Sequence, residues 1–321
     1  MTVSKKITLN SSGKINLYLN VSKDLRPDGY HEIKSIMQSI SLSDVLDFEV
    51  SHNYGIKYIE PGSGSSKSKT CGALDSNGIS ITCNNVDIPL NEKNLVHKAA
   101  HLILKNFNLE KKYNIKINIK KTIPVGAGLA GGSSNAAATL IALDRIFNLK
   151  LSEENLKVMG NQVGSDVPFC ISGGTALVEG KGELISQLPD LPFYWVVVAI
   201  NGKKFSSGDV YDKFDLIGKA KKTVHDSLVK NLVKKNYQDF FRSLDNDLEG
   251  VVVCEDTMVT VLKNRAMELG AFASQMTGSG PAIFAFCDDL KIARSVHSGL
   301  CELSDKVFLT YTTPFSQSIM N

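Results

Sequence analysis

Residues 124–138 read Pro124-Val125-Gly126-Ala127-Gly128-Leu129-Ala130-Gly131-Gly132-Ser133-Ser134-Asn135-Ala136-Ala137-Ala138. Four glycines and two serines stand between a strand-like segment and an alanine-rich one, which reads as a helix from about Ser133 to Phe147. Glycine lets backbone N–H groups come close to an anion. A helix that begins here aims its unpaired N–H groups and the positive end of its dipole at the same point. Two glycines would suffice for a tight strand-to-helix turn; this composition predicts a phosphate cradle. Two familiar phosphate loops fit poorly. Gly126, Gly128 and Gly131 match G-x-G-x-x-G, but Asp144, the acidic residue near the required distance, falls inside the predicted helix instead of closing a second strand. A Walker A loop needs Lys before its Ser/Thr, and here Gly132 precedes Ser133.

Working outward, Ile115, Ile117 and Ile119 alternate with Asn114, Lys116, Asn118 and Lys120, which predicts a strand leading into the loop. Residues 94–107 place Leu95, Ala99, Leu102, Ile103 and Phe107 near helical spacing. Toward the N-terminus, Ile15, Leu17, Leu19 and Val21 alternate with Lys14, Asn16, Tyr18 and Asn20, the pattern of a half-buried strand with a polar face. Further strand signal lies at 45–50. Beyond the loop, 195–200 is a continuous apolar run that reads as a buried strand. Helices are predicted over 223–243, 256–269 and about 290–301, with a strand at 282–286. Strands and helices interleave without strict βαβ alternation, which favours an α+β fold. A break near 180–200 suggests two lobes, residues 1–185 and 186–321. Residues 60–80, with Gly62, Ser63, Gly64, Ser65, Ser66, Lys67 and Ser68, read as a flexible surface excursion.

A chain of 321 residues with 43% hydrophobic and 21% charged residues has the composition of a soluble globular enzyme. The formal net charge of +3 argues against a nucleic-acid partner, which calls for a concentrated basic stripe. The first residues lack a signal-peptide pattern, and no window is apolar enough to span a membrane, so a cytoplasmic location is expected. None of the six cysteines shares a metal-ribbon or redox spacing, so free thiols are expected. His97 and His101 stand at i, i+4 without the intervening Glu of a zinc helix, and read as surface residues. No protein metal site is expected.

The glycine-rich loop is similar to the second signature of the GHMP kinases, with Pro124, Gly128, Leu129, Ser133, Ser134 and Ala136 in place. Two further stretches resemble the other signatures of that family in the right order: Gly13-Lys14-Ile15-Asn16-Leu17, and Met276-Thr277-Gly278-Ser279-Gly280-Pro281-Ala282-Ile283-Phe284. Within the family, Arg26-Pro27-Asp28-Gly29-Tyr30-His31-Glu32, Val163-Gly164-Ser165-Asp166-Val167-Pro168-Phe169, Gly173 to Gly180, Asn94-Leu95-Val96 and Asn246-Asp247-Leu248-Glu249 resemble the branch that acts on diphosphocytidyl-methylerythritol. Ala130 departs from the pattern, standing where a glycine is frequent, and so needs a backbone conformation that an L-residue can adopt.

The resemblance implies a two-lobed kinase with its active site in the cleft between lobes. It implies that ATP is the co-substrate, accompanied by Mg²⁺ held largely by phosphate oxygens and water. The acceptor it implies is 4-diphosphocytidyl-2-C-methyl-D-erythritol, phosphorylated at its 2-hydroxyl in non-mevalonate isoprenoid precursor synthesis. Asp166 is implied as the proton acceptor and Lys14 as its charge partner, roles suited to a phosphoryl transfer driven by positioning and electrostatics. The ATP cradle is implied to run through Pro124, Gly126, Gly128, Leu129, Gly131, Gly132, Ser133, Ser134 and Asn135, with Asn94, Leu95 and Lys121 near the nucleotide. Tyr30 and His31 are implied to read the cytosine, Tyr211 to stack on it, and Asn16 to contact the erythritol. A homoserine, mevalonate or sugar kinase on the same scaffold is the nearest alternative, and a non-catalytic nucleotide-binding module the next. A monomer or weak homodimer without macromolecular partners is expected.

Overall fold

A computed structural model describes residues 4–53, 74–200, 205–218 and 225–320. The Gly/Ser-rich stretch at 62–68 lies outside the described residues. In chain order the first half comprises β1 (Lys5–Leu25), β2 (His31–His52), β3 (Ile79–Cys83), α1 (Leu95–Asn106), β4 (Tyr113–Lys120), α2 (Gly131–Phe147), α3 (Glu153–Val163), α4 (Val167–Ser172), β5 (Thr175–Gly180) and β6 (Leu184–Gln187). The second half comprises β7 (Trp195–Ile200), α5 (Ser207–Ile217), α6 (His225–Val233), α7 (Tyr237–Arg242), β8 (Asp245–Asn246), α8 (Glu249–Val253), α9 (Met258–Glu268), β9 (Ala273–Met276), β10 (Ile283–Cys287), α10 (Leu290–Cys301), β11 (Lys306–Tyr311) and β12 (Gln317–Met320).

Two sheets result. The larger runs β12-β1-β2-β4-β3, with β5 and β6 joined to the far end of β2 and β8 beside β1. The smaller is antiparallel, β11-β7-β10-β9. The chain's end therefore returns to the first sheet, where Thr8 to Ser11 pair with residues of β12. β1 is much longer than its apolar alternation predicts, and its polar face is not wet. Lys14, Asn16, Tyr18 and Asn20 are all buried. The reason is tertiary: Tyr18 packs with Val196, Val198 and Phe284 of the second sheet, Asn20 donates to Asp247 Oδ2 at 2.8 Å, and Lys14 and Asn16 face the site described below.

Helices start where side chains can satisfy the free amides of the first turn. Asn94 Oδ1 accepts from Val96 N at 2.9 Å ahead of α1. Ser152 caps α3 through Asn155 N at 3.1 Å, with Glu153 and Glu154 at the positive end of its dipole. Asp289 caps α10 through Ile292 N at 2.8 Å. The helix predicted over 223–243 is two helices, because Lys235 turns to φ +57° and reverses the chain between α6 and α7. α2 begins two residues earlier than its composition suggests, at Gly131.

Three apolar clusters hold the layers together. The first packs α1, α2, α3 and α4 on the large sheet. The second packs α5, α8, α9 and α10 on one face of the small sheet. The third lies between the sheets, with Ile15, Leu17 and Ile36 against Phe284, Phe286 and the α6–α7 residues Leu228, Leu232 and Phe240. β7 splits its side chains between these clusters: Val197 and Ala199 go to the second, Val196 and Val198 to the third. That two-sided burial explains its unbroken apolar run.

Candidate active site

The loop between β4 and α2 is built from below by a buried ion pair. Asp44 of β2, with no exposure, accepts from Thr122 N at 2.7 Å and Ile123 N at 2.8 Å. Its second oxygen lies 2.5 Å from Lys121 Nζ. These contacts fix the strand end from which the loop departs. Ala130 then adopts φ +53°, ψ +28° at the N-cap of α2, with no side-chain cap. This left-handed conformation costs an alanine about 1–2 kcal/mol. It leaves the amides of the first turn, from Gly131 on, without carbonyl partners inside the helix and turned to the loop. A Cβ at Gly131 would lie 2.6 Å from Lys121 Nζ and 3.0 Å from Ile123 Cγ2, so a side chain there would have to displace the lysine that pairs with Asp44.

A second loop, 277–280, closes on the first. Gly128 sits at φ +77°, and a Cβ there would stand 2.2 Å from the Thr277 carbonyl oxygen. Thr277 Oγ1 accepts from Asn16 N at 3.0 Å and lies 3.3 Å from both Asn16 Oδ1 and the Gly128 carbonyl. Asn246 Nδ2 donates to the carbonyls of Met276 and Gly278 at 3.0 and 2.9 Å. Ser207 and Ser279 hydroxyls meet at 3.0 Å, tying the start of α5 to this loop.

Register shifts in the β1–β2 pairing at Ser12/Lys14 and Asn16/Tyr18 flank Lys14 and Asn16. Such irregularities re-aim side chains. Lys14 N donates to Leu129 O at 3.1 Å, so β1 is stapled to the phosphate loop at this point. Lys14 Nζ donates to Asn16 Oδ1 at 2.6 Å and lies 3.7 Å from Asp166 Oδ2. Asn16 Nδ2 in turn donates to Ser35 Oγ at 2.9 Å. Asp166 occupies the N-cap of α4 but makes no side-chain cap bond, so its carboxylate is left facing Lys14. Cys170 is buried one turn on, and burial first and the Asp166 charge second push its thiol up, which leaves it unreactive.

Another wall of the site is aromatic. His31 stacks on Tyr211 with centroids 5.4 Å apart and meets the edge of Phe214 at 6.2 Å. Burial, and then the Asp166 carboxylate, push the Tyr211 phenol up, so it stays protonated as a donor. Tyr30, largely exposed, lies under Lys181 Nζ at 4.7 Å from its ring centre. The turn that presents it is braced by Arg26, which pairs with Glu32 at 2.8 Å and Glu183 at 3.5 Å.

The loops, the Lys14–Asp166 pair and the aromatic stack open onto one cavity of about 720 Å³. Lys14, Asn16, Tyr30, His31, Asn94, Leu95, Lys121, Pro124, Gly126, Gly128, Leu129, Gly131, Gly132, Ser133, Asn135, Asp166 and Tyr211 line it. Ser134 does not. Its hydroxyl is buried, donating to Ser12 O at 2.7 Å and accepting from Ser11 Oγ, and its amide bonds Ala130 O. The sequence reading of Ser134 as a phosphate ligand is thus corrected to a brace under the loop. Asn94 lines the wall, but both side-chain atoms are engaged, one in the α1 cap and the other on Pro89 O at 2.8 Å. His97 is corrected too: it is buried, with Nε2 2.6 Å from Asp75 Oδ2. Sequence reasoning gave no role to Asp44, Ser35, Thr277, Lys181 or Asp215. Thr277 and Asn246 were visible only as members of motifs.

Family models described as "GHMP kinases N terminal domain" and "GHMP kinases C terminal" match residues 94–174 and 228–306. A protein of Clostridium perfringens named 4-diphosphocytidyl-2-C-methyl-D-erythritol kinase is 38% identical over 308 residues, covering 95% of this chain and 97% of its own. The chain belongs to the GHMP kinase family. A Nostoc protein of the same name is 36% identical over 305 residues, covering 90% and 89% of the two chains. Among solved GHMP-type structures, a 4-(cytidine 5'-diphospho)-2C-methyl-D-erythritol kinase superposes with a TM-score of 0.72 at 25% identity, over 97% of this chain and 99% of that one. A homoserine kinase from Cytophaga hutchinsonii superposes with a TM-score of 0.71 at 16% identity, over 98% and 97%, a likeness of fold alone. Among the described residues no helix is long and apolar enough to cross a membrane.

Proposed function

We propose that the protein transfers the γ-phosphoryl group of ATP to the 2-hydroxyl of 4-diphosphocytidyl-2-C-methyl-D-erythritol. The observation that carries this reading is the convergence of three sets of groups on one cavity: a glycine cradle, the Lys14–Asp166 pair and the His31–Tyr211 stack. In this reading the cradle holds the ATP phosphates and the stack holds the cytosine. Asp166 takes the proton from the acceptor hydroxyl. Lys14, with almost no solvent around its ammonium, stands 3.7 Å from that carboxylate and meets the negative charge on the moving phosphoryl group. Asn16 is held by Lys14, Ser35 and Thr277, and faces the acceptor's polyol from that fixed position.

Mg²⁺ fits this cradle. Among the described residues no cluster of His, Cys, Asp or Glu could cage a metal; in this reading the ion arrives on phosphate oxygens. On the protein side Ser133 and Asn135 line the cradle, and Asn135 Oδ1 is buried without a partner. When bound, the ion would neutralise charge on the phosphates. We also read residues 1–185 and 186–321 as lobes meeting at this cleft, in a cytoplasmic protein that is a monomer or weak homodimer.

The test is ADP release by the purified protein over a panel of alcohols. Turnover is expected with the cytidine diphosphate compound and not with methylerythritol lacking that handle. Faster turnover of homoserine or mevalonate overturns the assignment.

A further inference from the structure

The base end of the cavity contains a carboxylate that neither the family signatures nor the reaction calls for. Asp215, on the last turns of α5, lines the cavity with its Oδ1 3.4 Å from His31 Nε2. This juxtaposition is held from one short piece of β1. The Ser22 carbonyl lies 2.8 Å from His31 Nδ1, a contact that requires a proton on that nitrogen. The next residue, Lys23, donates its Nζ to the carbonyls of Phe214 and, at 3.1 Å, Asp215. Its ammonium also stands 4.6 Å over the Phe214 ring. Residues 22 and 23 thus fix the imidazole and the end of α5 together, and the distance between His31 and Asp215 follows.

Such a pair reads one face of a pyrimidine. With Nδ1–H committed to Ser22, Nε2 and the carboxylate are the two atoms left to meet a base. The carboxylate can only accept. Among pyrimidine edges, cytosine offers an exocyclic amine at C4, and uracil offers an oxygen there. A carboxylate accepting from the cytosine amine is a well-matched contact. The same carboxylate against the uracil oxygen places two acceptors face to face, an arrangement without a hydrogen bond.

We infer that Asp215, paired with His31, is the specificity residue that selects cytosine over uracil in the acceptor. This deepens the proposed function and rests on it only for the identity of the acceptor's base-bearing handle. Asp215 is about 40% exposed and forms no part of a core cluster, so its replacement leaves the fold intact.

The experiment measures binding of CDP and UDP by calorimetry, with the ATP site saturated by a non-hydrolysable ATP analogue. Wild-type protein and Asp215→Asn are compared, and kcat/KM is read for the cytidine- and uridine-linked acceptors. Wild-type protein is expected to prefer CDP by about 10–100-fold, the discrimination of one good base-edge pair. Asp215→Asn, whose amide can turn its NH₂ to the uracil oxygen, is expected to lose most of that ratio, partly by gaining affinity for UDP. Equal binding of CDP and UDP by the wild type overturns the inference, as does an undiminished preference in Asp215→Asn. If the preference is present and lost as expected but the cytidine-linked alcohol is not phosphorylated, the inference stands and the acceptor assignment falls.

Discussion

Replacing Asp166 by Asn keeps the shape of the side chain and removes its charge and its ability to take a proton. The structure separates the two consequences. Unit charges 3.7 Å apart, as Lys14 Nζ and Asp166 Oδ2 are, attract by about 4–5 kcal/mol at an effective dielectric constant of about 20. Asp166 is one-third exposed, so solvent screening lowers the net stabilisation to about 1–2 kcal/mol. Lys14 also keeps its bond to Asn16 Oδ1, so its ammonium is not orphaned. A domain stable by about 5–15 kcal/mol absorbs that loss and remains folded. The chemical step is a different matter: removal of a general base slows turnover by about 10²–10⁴-fold. The cradle and the aromatic stack belong to other segments, so both substrates should still bind. The assay is coupled ADP release, with calorimetric binding of an ATP analogue and of CDP on the same preparation. A kcat loss of at least 100-fold with near-normal binding is expected. Turnover within a few-fold of wild type would refute the reasoning and leave Asp166 as the N-cap of α4 and nothing more.

Three other outcomes follow from the site's architecture. Gly128→Ala forces a Cβ into the Thr277 carbonyl and should part the two loops, lowering kcat/KM by about 10²-fold, the effect of a misplacement near 1 Å; wild-type kinetics would show that the loops move independently. Asp44→Ala leaves the buried Lys121 ammonium unpaired and should destabilise the protein by about 3–5 kcal/mol in urea unfolding, against almost no change if water reaches the amine. The third concerns acid. Burial opposes ionisation of Asp75, but the Ile79 amide, the His97 ring and the Asn77 amide outweigh it and hold its carboxyl below the ordinary range. Its folded pKa being depressed, its contribution is complete above the unfolded value of about 3.9 and is lost as pH falls through the lower folded value. Unfolding free energy should therefore drop with pH in that window, and Asp75→Asn should make the curve shallower; an unchanged slope would remove Asp75 from the account.

What the sequence disclosed and what it hid divide along the reach of the interactions. The glycine loop and the helix after it were legible because their physics is local: positive φ at Gly126 and Gly128 and a helix start at Gly131 need nothing from elsewhere. The alternation of β4 and the Asn94 start of α1 were legible for the same reason. Lys14 shows where local reading stops. Its strand alternates, and alternation places lysine on a wet face. Yet that face is closed by loop 277–280, whose Thr277 bonds the next polar residue along β1 from 261 positions away. Ser134 failed in the opposite direction. A serine after two glycines at a helix start has every local mark of a phosphate ligand, but Ser11 and Ser12 of β1 lie beneath it and take its hydroxyl. Asp215 carried no signal, since a carboxylate among Asp209, Asp212 and Asp215 on an exposed helix looks like a solvated face. The lysine at position 23, holding the end of α5 from the neighbouring strand, helps set that face toward His31. The residues proposed to bind phosphate are thus written in their own neighbourhood, while those proposed to choose among substrates depend on which strand end meets which helix end. A substitution at Lys23, outside the cavity lining, should therefore shift the choice between cytosine and uracil by disturbing the distance between His31 and Asp215, with the glycine cradle left as it is.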